Sequence, residues 1–214
     1  MQITHILKSK KPYFEIEINN GEKKIKTTLD VISLLNLNKG KQISASELKI
    51  IEKEANISLA KLLAIKTVSK KQVSEHELTQ KLSNANINER ELSKIKSRLK
   101  ELGFLNDSQY AKEAYALLLE KGKGPEFIDN YLSQKGIDTE IIKNAKQNTI
   151  LNDNQQIKQI KTLIKKKFNF SKYDFAKLLA FFLRKGFSED LIIKALKELG
   201  ITGDENYADQ TSTY

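Results

Sequence analysis

Lysines carry the pattern in this 214-residue sequence most able to do chemistry. Lys158, Lys161 and Lys165 each follow an apolar position, Ile157, Ile160 and Ile164. With 3.6 residues per turn, a one-residue offset is about 100°, so a lysine ridge runs beside the buried face of a helix predicted over 155–172. Lys166, Lys167 and Lys172 extend the ridge, with Phe170 and Tyr173 nearby. A row of ammonium groups suits the phosphates of a polyanion. Each phosphate neutralised would add about one unit to the slope of log affinity against log salt. The same residues would serve as well as a solvated helix face.

Other reactive types are sparse. The chain has no cysteine, so disulfides, thiol nucleophiles and zinc–thiolate sites are excluded, which fits an intracellular setting. His5 and His76 are the two histidines. His76 falls in Ser74-Glu75-His76-Glu77, the first turn of a predicted helix. A general base there would need an orienting partner and a cleft, so it reads as a solvated side chain. Neither a G-x-x-x-x-G-K-[ST] loop nor a G-x-G-x-x-G after a strand occurs. Gly122-Lys123-Gly124-Pro125 could approach phosphate at a helix N-terminus, but it stands where the repeat described below needs a turn. Asp107 reads as an N-cap, with no second acid placed to share a metal. Tyr131 and Phe182 read as core positions and not as base-stacking platforms. The residues therefore point to binding, with no catalytic centre, metal or cofactor.

The elements that must position these residues form a repeat. From about Ser58 on, adding 50 to a residue number lands on an equivalent position. Leu78, Ile128 and Leu178 correspond, as do Leu82, Leu132 and Phe182, then Ile87, Ile137 and Phe187, then Leu92, Ile142 and Ile192. Upstream, Ala60, Ala64 and Val68 align with Tyr110, Ala114 and Leu118 and with Ile160, Ile164 and Phe168, at the i, i+4, i+8 spacing of a helical face. Asn86, Gly136 and Gly186 tolerate the left-handed conformation past a helix end, and Asn88, Asp138 and Ser188 can cap the helix that follows. Ser74-x-x-Glu77 spells a capping box, and Gly124 precedes Pro125, a preferred first helical residue. Ser171-x-x-Asp174 suggests an earlier start in the third copy. Each copy thus predicts one long and two shorter helices. One unit cannot hide its apolar stripe alone, so an elongated, curved, mainly α array is expected.

In front stands a β-hairpin. Tyr13–Asn19 alternates, and Asn20-Gly21 is the dipeptide of a type I′ turn. A two-residue loop there sets Ile16 opposite Ile25, Glu17 opposite Lys24 and Glu15 opposite Lys26, with a third strand available at Ile3–Leu7. A helix from Ser44 or Ser46 to about Ala55 would cover it. The expected organisation is a hairpin-plus-helix module at 1–57, repeats at 58–107, 108–150 and 151–203, and a disordered acidic tail at 204–214. Their net charges are +3, +4, 0, +6 and −3, which make up the overall +10. The positive ends of the array suit a polyanionic partner. Residues 1–11 lack the apolar run of a signal peptide, and no stretch approaches the roughly 18 apolar residues of a membrane span, so a cytoplasmic chain is expected.

Three motif blocks resemble the RecX family, regulators of the RecA recombinase. Ser74-Glu75-x-Glu77-Leu78-x-x-Lys81-Leu82 resembles its S-E-x-E-L-x-x-K-L. Gly103-Phe104-Leu105-Asn106-Asp107-x-x-Tyr110-Ala111 resembles its central G-[YF]-[LI]-[ND]-D-x-x-[FY]-A. Lys121-Gly122-x-Gly124-Pro125-x-x-Ile128-x-x-x-Leu132-x-x-Lys135-Gly136-Ile137 resembles its K-G-x-G-P-x-x-I-x-x-x-L-x-x-K-G-I. Val73 departs from a place that is often basic. The resemblance covers about 58–200 and implies a non-enzymatic monomer that lies in the groove of the RecA–DNA filament. There it would modulate, usually inhibit, ATP hydrolysis, strand exchange and the co-protease activity of the SOS response, touching single-stranded DNA within the filament. A stand-alone basic helical-repeat protein that binds nucleic acid is the alternative.

Overall fold

The computed structural model describes residues 1–9, 12–149, 152–167 and 175–202. The chain divides into two compact units, Met1–Asn106 and a second beginning at Asp107.

The first unit opens with an antiparallel sheet of β1 (Ile3–Lys8), β2 (Tyr13–Ile18) and β3 (Lys23–Thr28), in the order β1-β2-β3. Asn20 at φ 61° and ψ 34° and Gly21 at φ 93° fit the expected turn, but β2 ends one residue early, because Asn19 is left-handed as well at φ 49°. Its register places Ile16 opposite Ile25, Glu17 opposite Lys24 and Glu15 opposite Lys26. Lys24 Nζ lies 2.7 Å from Glu17 opposite it and 3.3 Å from Glu15 on the diagonal, while Lys26 stands 4.0 Å over the Tyr13 ring instead of pairing with Glu15. On the other face Ile3, Ile16, Ile18 and Ile25 are buried. A short helix, α1 (Leu29–Leu34), leads to α2 (Ala45–Val68), whose Ser44 cap closes a capping box with Glu47.

Helix α2 corrects the expected end near Ala55. It runs unbroken to Val68 and serves two cores. Leu48, Ile51 and Ala55 join the core under the sheet, while Ala60 and Ala64 join that of the first three-helix repeat. The other two helices of that repeat are α3 (Glu75–Leu82) and α4 (Glu89–Glu101). Leu78, Leu82, Leu92, Ile95 and Leu99 fill the space between them.

The second unit holds α5 (Asp107–Glu120), α6 (Pro125–Gln134), α7 (Thr139–Thr149), α8 (Asp153–Lys167), α9 (Phe175–Leu183) and α10 (Glu189–Lys197). The first three enclose Ala111, Tyr115, Leu119, Ile128, Leu132, Ile137, Ile142 and Ala145. The last three enclose a separate core around Ile160, Ile164, Leu178, Phe182, Phe187 and Ile192. The left-handed residues recur as expected, with Asn86, Gly136 and Gly186 at φ 52°, 69° and 83°. Asn88 and Asp138 then accept from amides of the next helix, whereas Ser188 holds the cap position without a side-chain hydrogen bond.

Two local expectations need correction. In α5 the fully buried row is Ala111, Tyr115 and Leu119, whereas Tyr110, Ala114 and Leu118 pack at its margin. The repeat interval along the long helices is therefore 51 from Ala60 to Ala111 and 49 from Ala111 to Ile160, instead of a uniform 50. Asp107 is the first residue of α5, one place inside the cap position. The proposed early start at Ser171 and Asp174 lies outside the described residues.

Candidate binding surface

The lysine ridge sits on α8. Asn152 opens this helix by exchanging two hydrogen bonds with Gln155, both 2.9 Å. Ile157, Ile160 and Ile164 are buried, which turns Lys158, Lys165 and Lys166 outward to solvent. Lys161 behaves differently. Its ammonium lies 2.8 Å from the Glu198 carboxylate just past α10, and Lys161 holds that carboxyl below its usual range. Three exposed cations thus remain beside one that clasps two helices together. The Lys167 side chain and Lys172 lie outside the described residues.

The family-like motifs fall on joints. The Ser74 hydroxyl accepts from the Glu77 amide at 3.0 Å, and the Glu77 carboxylate accepts in return from the Ser74 amide at 3.3 Å. Glu75 reaches across to α4, 3.2 Å from Lys96 and 2.5 Å from Lys100. Burial raises the Glu75 pKa, but the two lysines outweigh it and leave the carboxyl below its ordinary value. His76 is exposed and shares a 2.9 Å hydrogen bond with Gln80 one turn on.

The Gly122–Pro125 turn is a seam between helical repeats. The Gly124 amide donates to the Lys185 carbonyl at 2.7 Å, and the Glu126 amide donates to the Gly186 carbonyl at 3.1 Å. These first-turn donors, which a phosphate would need, are spent on the α9–α10 turn. Gly124 has an ordinary negative φ, so closeness and not conformation demands the glycine. A Cβ there would press into the Gly186 carbonyl, and one on Gly186 would press into the Phe127 amide.

A part-buried polar group, anchored on the buried Tyr115, joins the three helices of the middle repeat. The Tyr115 hydroxyl donates to Asp129 at 3.0 Å, and Lys146 Nζ reaches the other oxygen of that carboxylate at 2.7 Å. Burial pushes the Tyr115 phenol well up, and the Asp129 charge pushes it further. This group was not visible from spacing, because its members come from three different helices.

The aromatics divide. Phe182 is buried, as its repeat position implies. Tyr131 is only half-buried and, with Phe127, lines a cleft of about 240 Å³ facing Arg184 of the α9–α10 turn. Lys123 Nζ stands 3.7 Å over the Phe127 ring, Lys135 Nζ 5.5 Å over Tyr131 and Lys185 Nζ 5.2 Å over Phe181, all within cation–π range. Among the described residues no group of His, Asp and Glu is arranged to hold a metal ion, and no described helix is long and apolar enough to cross a membrane.

Capped three-helix units with outward-facing cations define a helical-repeat protein. No protein-family model matches the chain. Individual proteins do. The regulatory protein RecX of Streptococcus agalactiae serotype V is 31% identical over 209 residues, covering 96% of this chain and 80% of that relative. The regulatory protein RecX of Streptococcus pneumoniae Hungary19A-6 is 38% identical over 141 residues, covering 64% of this chain and 53% of the relative. The chain thus spans about half the length of the pneumococcal relatives it matches. The crystal structure of RecX from Lactobacillus salivarius superposes with a TM-score of 0.59 at 30% identity, covering 68% of this chain and 97% of that one. A second RecX crystal structure shares the fold at a TM-score of 0.60 and 21% identity, covering 92% and 98% of the two chains. The chain belongs to the RecX family of regulatory proteins.

Proposed function

We propose that this protein regulates the RecA recombinase by binding in the groove of the RecA–DNA filament. There it would inhibit ATP hydrolysis, strand exchange and co-protease activity in DNA repair and the SOS response. Family membership carries the reading, since the three motif blocks that resemble the family sit on the joints that set its helices. The exposed lysines of α8 support a contact with DNA phosphate: among the described residues, three unpaired cations on this helix outweigh the single neutralised one. Lys158, Lys165 and Lys166 are the proposed contacts, with Lys167 and Lys172 continuing the run in sequence. Lys161 is assigned a lesser share, because its charge is already met by Glu198.

Co-sedimentation with RecA assembled on single-stranded DNA tests the proposal. The protein should pellet with filaments at a saturating ratio and stay in solution without them. Failure to pellet under any nucleotide state would remove the proposal. The same lysines favour a second reading, a nucleic-acid-binding protein that acts alone. Binding to bare DNA at physiological ionic strength, lost on neutralising Lys158, Lys161 and Lys165 together, would favour that reading.

A further inference from the structure

The cleft between α6 and the α9–α10 turn combines groups that the lysine ridge lacks. Phe127 and Tyr131 lie one helical turn apart on α6 and form an aromatic wall. Asn130 and Gln134 flank them on the same helix, exposed and carrying both donors and acceptors. Arg184 closes the opposite side with an exposed guanidinium. Lys123 stands over the outer ring, and Glu126 is the one acid among the described lining residues. The backbone hydrogen bonds through Gly124 and Gly186 hold the two walls at fixed separation, so the cleft is preformed.

Size and chemistry narrow the ligand. At about 240 Å³ the cleft falls below the roughly 300–1,000 Å³ of sites for drug-sized molecules. It suits one planar ring system with its charged remainder outside. Aromatic faces, amides able to meet a base edge, and cations at the mouth are the parts used to hold single strands. A duplex keeps its bases inside the stack and presents no ring to such a wall.

We propose that this cleft binds an unpaired base of a single-stranded nucleic acid, stacked on Tyr131 and Phe127 with flanking phosphates on Lys123 and Arg184. Stacking on Phe127 requires Lys123, now 3.7 Å over that ring, to give up the ring face for a phosphate. The site lies apart from the α8 ridge and makes the protein a reader of single strands as well as of charge. It rests on the nucleic-acid side of the proposed function, not on the recombinase.

The chain contains no tryptophan, so Tyr131→Trp places a single reporter in the cleft. A dT oligomer of about 12 nucleotides, within the usual site size for such proteins, should quench it by stacking. An abasic oligomer of equal length should bind through its phosphates and leave it bright. Tyr13→Trp, in the sheet, should stay bright with both. An rU oligomer run in parallel identifies the preferred sugar. In the otherwise unchanged chain, Tyr131→Leu should weaken dT binding roughly 5- to 150-fold, the range for one stacked base, and abasic binding little. If Tyr131→Trp misfolds, a 2-aminopurine within the dT oligomer reports the same stacking on the unaltered protein. Equal quenching by abasic and base-bearing strands would overturn the proposal, as would binding with no change at Trp or 2-aminopurine. No binding to either strand would overturn it too. Because recombinase is absent throughout, filament regulation can survive any of these failures.

Discussion

Gly124 is a position at which one added methyl group would be costly. Its Cβ would meet backbone and not a pliable side chain, so neither side can yield cheaply. Gly124→Ala should cost about 1–3 kcal/mol, the usual range for overpacking, and lower the thermal midpoint seen by circular dichroism. An unchanged midpoint would mean the seam is looser than its hydrogen bonds imply. Tyr115 is the second such position. Tyr115→Phe removes a bond to a charged acceptor and should cost about 1.5–3 kcal/mol. Its pH dependence has a definite sign. Burial and Asp129 raise the folded phenol's pKa above the ordinary 10.0, so this stabilisation is complete below about pH 10 and lost as pH rises beyond it. The stability gap between the native chain and Tyr115→Phe, measured by urea melts, should be constant to that point and then close. A gap that widens at alkaline pH would contradict the assignment. Sequence marked Gly124 as a cap before Pro125, but its contact with Gly186 lies 62 positions away and leaves no local trace.

At the scale of elements, what was legible followed from periodicity and punctuation. The I′ turn, the strand register, Ser74, Asn88 and the left-handed residues at 86, 136 and 186 each obey a local rule, and the structure keeps them. Helix α2 was misjudged because it faces two cores in succession. Leu48, Ile51 and Ala55 define one buried stripe, while Ala60 and Ala64 belong to another, so the apparent period breaks near Asn56. The α5 register was ambiguous for a related reason. Tyr110–Ala114–Leu118 and Ala111–Tyr115–Leu119 are adjacent apolar rows, and only packing chooses between them. If α2 is truly shared, proline in its middle should injure both neighbours. Leu59→Pro should cost about 3 kcal/mol or more and reduce hydrogen-exchange protection in β2–β3 and α3–α4 together. Loss confined to one of them would show that the two cores stand independently.

At the scale of the whole molecule, the charge of the third repeat was plain in the sequence, but its distribution was not. Spacing gave Lys161 the same outward role as Lys158 and Lys165, and only Glu198, 37 positions on, takes it out of the row. The cleft with Phe127 and Tyr131 was missed because half-buried aromatics at repeat positions look like core. If Lys158, Lys165 and Lys166 each meet a phosphate of a single strand, the triple change to glutamine should lower the log–log salt slope by about 2 units. A slope unchanged within error would place the phosphate contacts elsewhere.

Stoichiometric binding to a RecA filament is the action proposed for this chain. Its most direct test is to titrate the purified protein into RecA turning over ATP on single-stranded DNA. The predicted result is a fall in ATPase rate that saturates at a fixed ratio of this protein to filament subunits. A rate that stays flat through an equimolar ratio would contradict the claim.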